Sequence, residues 1–258
     1  MSLLSAVLLA GVIAAAGGRL GWLTPWGVLL ASLVGAAVLE GAGMRGGVLM
    51  GLFFVSGSLL TRWSERDGLH SIDAKGSRRD GVQVAANGTW AAAGAIAIHA
   101  APVIGWSVMA GALGAAQADT WATEIGARAP RAPRLITSGV VVQRGTSGGV
   151  TWLGTAGGVA GAALMALATW AVAPPPAALA GLLGGCLGLT VDSILGATVQ
   201  GTSEPAERID SLSDGRADGG RPPSVRGVAW CTNDVVNLSG TGVGAATGLA
   251  LSLLWTMG

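Results

Sequence analysis

Residues 177–199 read AALAGLLGGCLGLTVDSILGATV, an apolar run of 23 positions in which Asp192 is the only charged residue. An α-helix needs about 20 apolar residues to cross the hydrocarbon core of a bilayer. This run therefore predicts a membrane-spanning helix. It also places one carboxylate near the C-terminal end of that helix, where a charge in lipid requires a cation, a partner or water.

Similar apolar runs extend this prediction to the whole chain. Only 11% of the 258 residues are charged and 51% are hydrophobic, whereas soluble domains carry about 25% charged residues. We predict an all-α, polytopic membrane helix bundle with about seven or eight transmembrane helices in a single domain, 1–258. The first run is interpreted as a span rather than a cleaved signal. The eight candidate spans are 2–17, 22–39, 43–60, 82–100, 102–118, 149–172, 177–199 and 233–256.

Basic residues indicate how the bundle is oriented. Every second connection is long and polar, and these three segments, 61–81, 119–148 and 200–232, hold thirteen of the fifteen Lys and Arg residues. Arg19 and Arg45 lie outside them. Because Lys and Arg accumulate in cytoplasmic loops, all three segments are expected in the cytoplasm of a multi-pass protein of the cell membrane. With an even number of spans, both termini would lie on the opposite side.

Acidic residues mark the ends of several predicted spans. Asp119 and Glu124, Asp192, and Asp234 would all meet at the cytoplasmic side. Converging carboxylates form the oxygen-rich kind of site that holds Mg²⁺ together with substrate phosphates; interhelical salt bridges with nearby arginines are the alternative. Asp119 and Glu124 are about 140° apart on an ideal helix, so both can reach one ion only if the helix breaks between them. We expect Glu124 on a frayed helix end.

A glycine-rich segment precedes the sixth predicted span. Glycines leading into a helix N-terminus can present backbone N–H groups to a phosphate, and the helix dipole favours that anion. Glycine can equally serve as a simple cap or turn, so the adjacent arginine and hydroxyl groups strengthen the phosphate interpretation. The residues concerned are Arg144, Gly145, Thr146, Ser147, Gly148 and Gly149.

The first long connection supplies Lys75, Arg78 and Arg79. Clustered cations can hold phosphoryl groups, but basic residues beside a membrane also serve only to fix topology or to contact anionic lipid. Two amide pairs, Gln83 with Asn87 and Asn233 with Asn237, are each spaced four residues apart and so share a helix face. These amides can bind polar ligand groups or a neighbouring helix.

Five motifs in this order resemble a known membrane family: KGSRRDGVQVAANG (75–88), ADTWATEIG (118–126), RGTSGG (144–149), DSILGATVQ (192–200) and TNDVVN (232–237). The chain resembles the domain-of-unknown-function 92 family, which includes plant phytyl-phosphate kinase and animal transmembrane protein 19. The resemblance runs from about Asp73 to Asn237. One departure is Asp234, where a second asparagine is common, and this puts a metal-binding role for Asp234 in doubt.

The resemblance implies transfer of the γ-phosphoryl group of a nucleotide, CTP above all, to a prenyl phosphate, with Mg²⁺ as cofactor. The implied partners are the nucleotide, the prenyl phosphate lipid and the membrane, and no nucleic acid. Phosphoryl transfer needs positioning, a divalent cation and cationic groups around the phosphates. The expected site residues follow by role: Asp119, Lys75 and Arg78 for catalysis; Asp119, Glu124 and Asp192 for the metal; Arg144, Gly145, Thr146, Ser147, Gly148, Gly149 and Arg79 for the nucleotide and its phosphates; and Gln83, Asn87, Ser193, Gln200, Asn233 and Asn237 for orienting the substrate.

Two rival functions remain open at this point. A nucleotidyltransferase that makes a CDP-lipid would use the same metal and cationic groups. A transporter is the alternative outside enzymes, because carboxylates within the membrane and glycine-broken helices also mark ion pathways. The gathering of acidic residues at one face, instead of the midplane, favours an enzyme.

Overall fold

A computed structural model describes residues 1–68, 78–204 and 224–257, without the side chains of 202–204 and 224–226. Within these ranges the chain forms seven helices and four short strands. The helices are α1 (Leu3–Arg19), α2 (Pro25–Arg66), α3 (Gly81–Ala97), α4 (Pro102–Gly126), α5 (Trp152–Trp170), α6 (Pro175–Thr198) and α7 (Asn233–Met257). The strands are β1 (Arg134–Leu135), β2 (Gly149–Val150), β3 (Thr202–Glu204) and β4 (Ser224–Arg226), paired antiparallel as β1–β2 and β3–β4.

Local capping explains where several helices begin. Thr24 precedes α2, accepts a hydrogen bond from the backbone of Gly27, and is followed by a proline at the first helical position. Asp80 and Gln83 form a capping box at the start of α3. Thr151 caps α5 through the backbone of Gly154. These side chains satisfy N–H groups that have no partner within the helix.

Helix α2 is a hairpin of two arms, 25–42 and 44–66. Gly43 interrupts it with φ 64° and ψ −159°, outside helical geometry. Gly27 in the first arm and Gly57 in the second both pack directly against Arg79. In a straight helix those two glycines would be about 45 Å apart, so the second arm must run back beside the first. The predicted spans 22–39 and 43–60 correspond to these two arms.

Helix α4 is the centre of the bundle. It packs against α2, α3, α5, α6 and α7. Residues 105–118 of α4 are buried almost without exception. Small residues allow this crowding, since a Cβ atom on Gly114 would overlap the backbone of Gly181 in α6. Without a hydrophobic drive between helices in lipid, such close backbone approach is a principal source of packing energy.

Contacts between connections show that the long loops share one end of the bundle, here named the loop end. There Trp22 and Thr24 bond to the backbone of Arg79, and Gly148 packs on Ala197 at the end of α6. Gln200 bridges to Val228 at the same end. The opposite end holds Gly43 and the ion pair between His99 and Glu40. Each helical arm therefore connects the two ends.

Four helices are long and apolar enough to cross a membrane by length and composition: α2, α5, α6 and α7. The prediction of a helical bundle is confirmed, whereas a count of seven or eight crossings stays a prediction. Two predicted boundaries differ from the structure. Helix α2 continues to Arg66 and α4 to Gly126, so residues assigned to the ends of polar connections are helical.

Candidate functional site

Two predicted acidic residues meet inside the helix bundle. Asp119 on α4 and Asp192 on α6 are half-buried, and their carboxyl groups lie within hydrogen-bonding distance of each other. Both line a narrow cleft bounded by α3, α4, α6 and α7. Two ionised carboxylates at this distance repel each other, and a bound cation would remove that repulsion. The structure thus brings together two of the three predicted metal-binding residues.

The cleft lies near the loop end of the bundle. Asp119 is seven residues before the end of α4, and Asp192 is six residues before the end of α6. At 1.5 Å per residue, both carboxylates lie about 10 Å inside their helix ends. Asn87 is six residues after the start of α3, at a matching depth. Three helices therefore deliver polar groups to one level of the bundle.

Amide and hydroxyl groups complete the lining of this cleft. Asn87 donates a hydrogen bond of 3.0 Å to the backbone carbonyl of Gln83 and turns its side chain to the cleft. Asn237 on α7 also lines it. Thr241, one turn further along α7, lines the cleft and donates 2.9 Å to the carbonyl of Ala86. Carboxylate and amide oxygens are the ligands that Mg²⁺ accepts in proteins, so the donor set fits that ion.

Glycines let the helices approach closely enough to form the cleft. A Cβ atom on Gly188 of α6 would lie 2.6 Å from the carbonyl oxygen of Gly240 on α7. A Cβ atom on Gly240 would lie 3.4 Å from a carboxylate oxygen of Asp192. Any side chain at these two positions would separate α6 from α7 or intrude on the carboxylate.

Glu124 does not join the carboxylate pair. Helix α4 runs without a break past Glu124 to Gly126. The prediction that Glu124 lies on a frayed helix end is therefore wrong. Its side chain accepts a hydrogen bond of 2.6 Å from Thr61 on the second arm of α2. Across the described ranges, no group of three or more His, Cys, Asp or Glu side chains is arranged to share one ion. Because Asp119 and Glu124 are five residues apart on an unbroken helix, their side chains point in different directions, as their spacing predicted.

Arg144 hydrogen-bonds to the backbone at the end of α4. Its guanidinium donates to the carbonyls of Ala127, at 3.1 Å, and Ala129. Carbonyls at a helix C-terminus have no partner within the helix, and a cation there is favourable. This side chain has a structural task that the sequence motif alone did not indicate.

The glycine segment after Arg144 forms a turn rather than a helix N-terminus. The N–H groups of Thr146 and Gly149 donate within the turn, to Gln143 and Thr146 respectively. Strand β2 then intervenes, and α5 begins only at Trp152 behind its Thr151 cap. Gly148 has φ 75°, and a Cβ atom there would overlap the backbone of Ala197. The prediction that these glycines lead directly into the N-terminus of a helix is therefore wrong.

The predicted basic residues of the first connection have different surroundings. Arg78 donates twice to the carbonyl of Leu23, at 3.3 and 2.7 Å. Arg79 places its guanidinium over the rings of Phe53 and Phe54, 5.0 and 5.6 Å from their centroids. Burial lowers the pKa of Arg79 from its ordinary value to about 10, although the negative charge of Glu124 partly opposes this shift. The group remains a cation at neutral pH. Lys75 lies outside the described residues.

The remaining predicted residues lie around the cleft without lining it. Gln83 uses its amide oxygen, at 3.2 Å, to cap the backbone of Asp80. Ser193 follows Asp192 on the neighbouring helical position. Gln200 is buried beyond the end of α6, next to Gly196. Asn233 and the buried Asp234 open α7, at least three residues before Asn237.

Sequence reasoning missed three positions that matter in the structure. Thr241 lines the cleft, and its position four residues after Asn237 on one helix face was a usable signal. Arg62 and Arg66 line a second cavity at the loop end. They were counted only as topology signals because the connection was taken to begin at Thr61.

Comparisons with known proteins agree with this architecture. The family described as "Integral membrane protein DUF92" matches residues 8–245. "Protein PGR" of Arabidopsis thaliana is 30% identical over 196 residues, which cover 62% of this chain and 66% of that protein. The matched region is thus just under two thirds of that relative's length. No solved structure matches the chain significantly.

Proposed function

This chain belongs to the DUF92 family of integral membrane proteins, and we propose that it is a prenyl phosphate kinase. It transfers the terminal phosphoryl group of a nucleoside triphosphate, with CTP as the first candidate, to a phytyl or geranylgeranyl phosphate. The bond to the departing nucleoside diphosphate breaks, and a bond forms to an oxygen of the acceptor phosphate. The products are the prenyl diphosphate and the nucleoside diphosphate.

The observation that carries this proposal is the pairing of Asp119 with Asp192 in the cleft. These carboxylates, with amide oxygens from Asn87 and Asn237 nearby, would hold Mg²⁺. When bound, the ion would supply positive charge that offsets the negative charge developing on the phosphates during transfer. Glu124 is left out of this set because it bonds to Thr61.

The same amides would also position the reactants. Asn87 and Asn237 line the cleft from α3 and α7, and their N–H groups can donate to phosphate oxygens, whereas the Thr241 hydroxyl donates to Ala86 and so links α7 to α3. No nucleophilic side chain is required, since the acceptor phosphate supplies the attacking oxygen. Lys75 keeps its proposed role beside the transferring phosphate, as a cation in the motif that leads into α3.

The depth of the cleft does not separate an enzyme from a transporter. Substrate sites of secondary transporters typically lie near the bilayer midplane. Here Asp119 lies about 10 Å inside the end of α4 and about 8 Å from its midpoint, and Asp192 has a similar depth in α6. The identity of the reaction products decides between the two functions.

We further propose eight crossings, with the loop end in the cytoplasm of the cell membrane. The two arms of α2 and the six other helices supply eight segments between the two ends. Thirteen basic residues occur in the three long connections, and Arg19 closes α1 at the same end. This arrangement follows the cytoplasmic bias of Lys and Arg.

Incubation of the purified protein with a prenyl phosphate, Mg²⁺ and each nucleotide, followed by identification of products by mass, tests the kinase proposal. Prenyl diphosphate and a nucleoside diphosphate are the expected products. A CDP-lipid with pyrophosphate would indicate the nucleotidyltransferase instead. Absence of turnover with any lipid phosphate would favour a transporter function. The Asp119→Asn protein is the control for contaminating kinases.

A further inference from the structure

A second cavity opens at the loop end, apart from the carboxylate cleft. It has a volume of about 260 Å³ and lies between the second arm of α2 and residues 21–22. It shares no lining residue with the cleft. The principal side chains around it are Arg62, Arg66, Arg79, Glu65, Thr61 and Trp22, and we name it the arginine cavity.

The charge of the arginine cavity is unbalanced. Among the described residues that line it, three guanidinium groups accompany one carboxylate, that of Glu65. Glu124 adds a second negative charge beside the cavity, because it bonds to Thr61 and its charge acts on Arg79, so the formal charge of these groups together is +1. The ion pairs found in the described part of the chain are His99 with Glu40 and Arg128 with Asp67. Neither involves a residue of this cavity. A cluster of like charges is unfavourable unless an anion joins it.

Aromatic rings hold two of these cations in place. The guanidinium of Arg79 packs over Phe53 and Phe54, and Glu124 offsets part of its charge. Removing an arginine from water carries a large desolvation cost, which a paired anion would offset. Arg62 is likewise held over the ring of Trp22, 5.6 Å from its centroid. Two of the three cations are therefore oriented before any ligand binds.

From this geometry we propose that the arginine cavity binds a phosphate monoester or diphosphate group. The planar guanidinium fork matches pairs of phosphate oxygens, and Thr61 adds a hydroxyl. A cavity of about 260 Å³ is below the usual 300–1,000 Å³ of small-molecule sites. It suits the phosphate head of a ligand rather than a whole nucleotide.

The ligand could be a lipid phosphate or a soluble polyphosphate, which share this chemistry. Leu59, on α2 next to the cavity residue Ser58, exposes 55% of its surface. An exposed apolar side chain beside a phosphate pocket would accommodate part of an acyl or prenyl tail. The proposal concerns binding alone, so it does not depend on the kinase activity.

Binding measured without turnover tests this proposal. The purified chain is titrated in EDTA-containing buffer, which removes divalent cations from the carboxylate cleft. One arm uses inorganic pyrophosphate and the other dodecyl phosphate in mixed micelles. The test variant is Arg62→Gln/Arg66→Gln. Its matched control, Arg19→Gln/Arg131→Gln, removes the same charge from exposed positions outside the cavity.

We expect the test variant to lose at least tenfold in affinity for one or both probes, while the control stays within about twofold of the parent protein. Loss confined to dodecyl phosphate identifies a lipid ligand, and loss confined to pyrophosphate identifies a soluble one. Unchanged affinity in the test variant, an equal loss in the control, or no binding by the parent protein would overturn the proposal. If the double variant misfolds, Arg66→Gln alone changes an exposed side chain and answers the same question.

Discussion

At the scale of single residues, the proposed function depends on the facing carboxylates of Asp119 and Asp192. Each projects from a different helix, and they meet with Asn87 and Asn237 at one level of the bundle. Neither carboxylate can be exchanged for an amide without loss of charge at the proposed metal site. Asp234 is buried in the first turn of α7 but does not line the cleft.

Amide substitutions should therefore separate these aspartates. Asp119→Asn and Asp192→Asn each keep the side-chain shape but remove a negative charge that would hold Mg²⁺. Turnover should fall by at least about a hundredfold, and the Mg²⁺ concentration for half-maximal rate should rise. Asp234→Asn should retain activity within a few-fold. Steady-state rates over a Mg²⁺ series measure this, and equal losses in all three variants would show that Asp234 is also a ligand.

Close packing against α6, together with a positive φ, requires glycine at position 148. Its φ is 75° and a Cβ atom would overlap the backbone of Ala197, whereas Gly139 has φ 70° with nothing within 4 Å of that position. Both Gly→Ala variants carry about 1–2 kcal/mol of backbone strain. Only Gly148→Ala adds a collision, so its melting temperature in detergent should be clearly lower. Equal melting temperatures would mean that the turn shifts freely away from α6.

Sequence spacing predicted some of these residues and not others, for a physical reason. A carboxylate in an apolar helix must face the bundle interior, which identified Asp119 and Asp192. Arg144 and Gln83 bond instead to backbone groups at helix ends. Their partners depend on where a helix ends in space, which residue type and spacing do not specify. For the same reason, the sequence did not indicate that Arg62 and Arg66 line a cavity.

At the scale of elements, the hairpin in α2 determines how the N-terminal part of the chain joins the site. The second arm brings Thr61 to Glu124, and Ser56 to Gln117 and Trp121, all on α4. Hydropathy predicted both arms, because each is an apolar run, although the second arm extends six residues beyond its predicted end. Hydropathy does not reveal that the chain reverses at the single residue Gly43, with helix directly before and after it.

Gly43 should be the residue that permits this reversal. Gly43 and Gly51 both have open space where a Cβ atom would lie, but only Gly43 has a positive φ, 64°. Gly51→Ala should leave stability unchanged or raise it by up to about 1 kcal/mol, as expected in a helix interior. Gly43→Ala should lower it by about 1–2 kcal/mol. Urea unfolding in detergent compares the two, and an unaffected Gly43→Ala protein would argue against the sharp turn.

At the scale of the whole molecule, one end of the bundle carries the long connections, most of the described basic residues, the cleft and the arginine cavity. This polarity was accessible from the sequence, because charge distribution and hydropathy report directly on the membrane. The central position of α4 was not accessible, since all helices here are similarly apolar and glycine-rich. Small residues permit close packing of many helix pairs, and only three-dimensional complementarity selects among them.

Cysteine labelling should reveal this polarity in cells. In a background with Cys186 and Cys231 replaced, single cysteines near Ser77, Arg131 and Asp214 should react only from the cytoplasmic side. A cysteine at Arg45, which follows Gly43 at the opposite end, should react only with an impermeant reagent applied outside. Labelling of any of the first three from outside would disprove the proposed topology.

Radiolabel tracing distinguishes the proposed transfer of a terminal phosphoryl group to a lipid phosphate from transfer of a nucleotidyl group. The most direct measurement uses the purified protein, geranylgeranyl phosphate, Mg²⁺ and CTP that carries its radiolabel in either the α or the γ position. Label should enter the lipid fraction only from γ-labelled CTP, as geranylgeranyl diphosphate. Label from α-labelled CTP, or no label from either nucleotide, would rule out the proposed kinase activity.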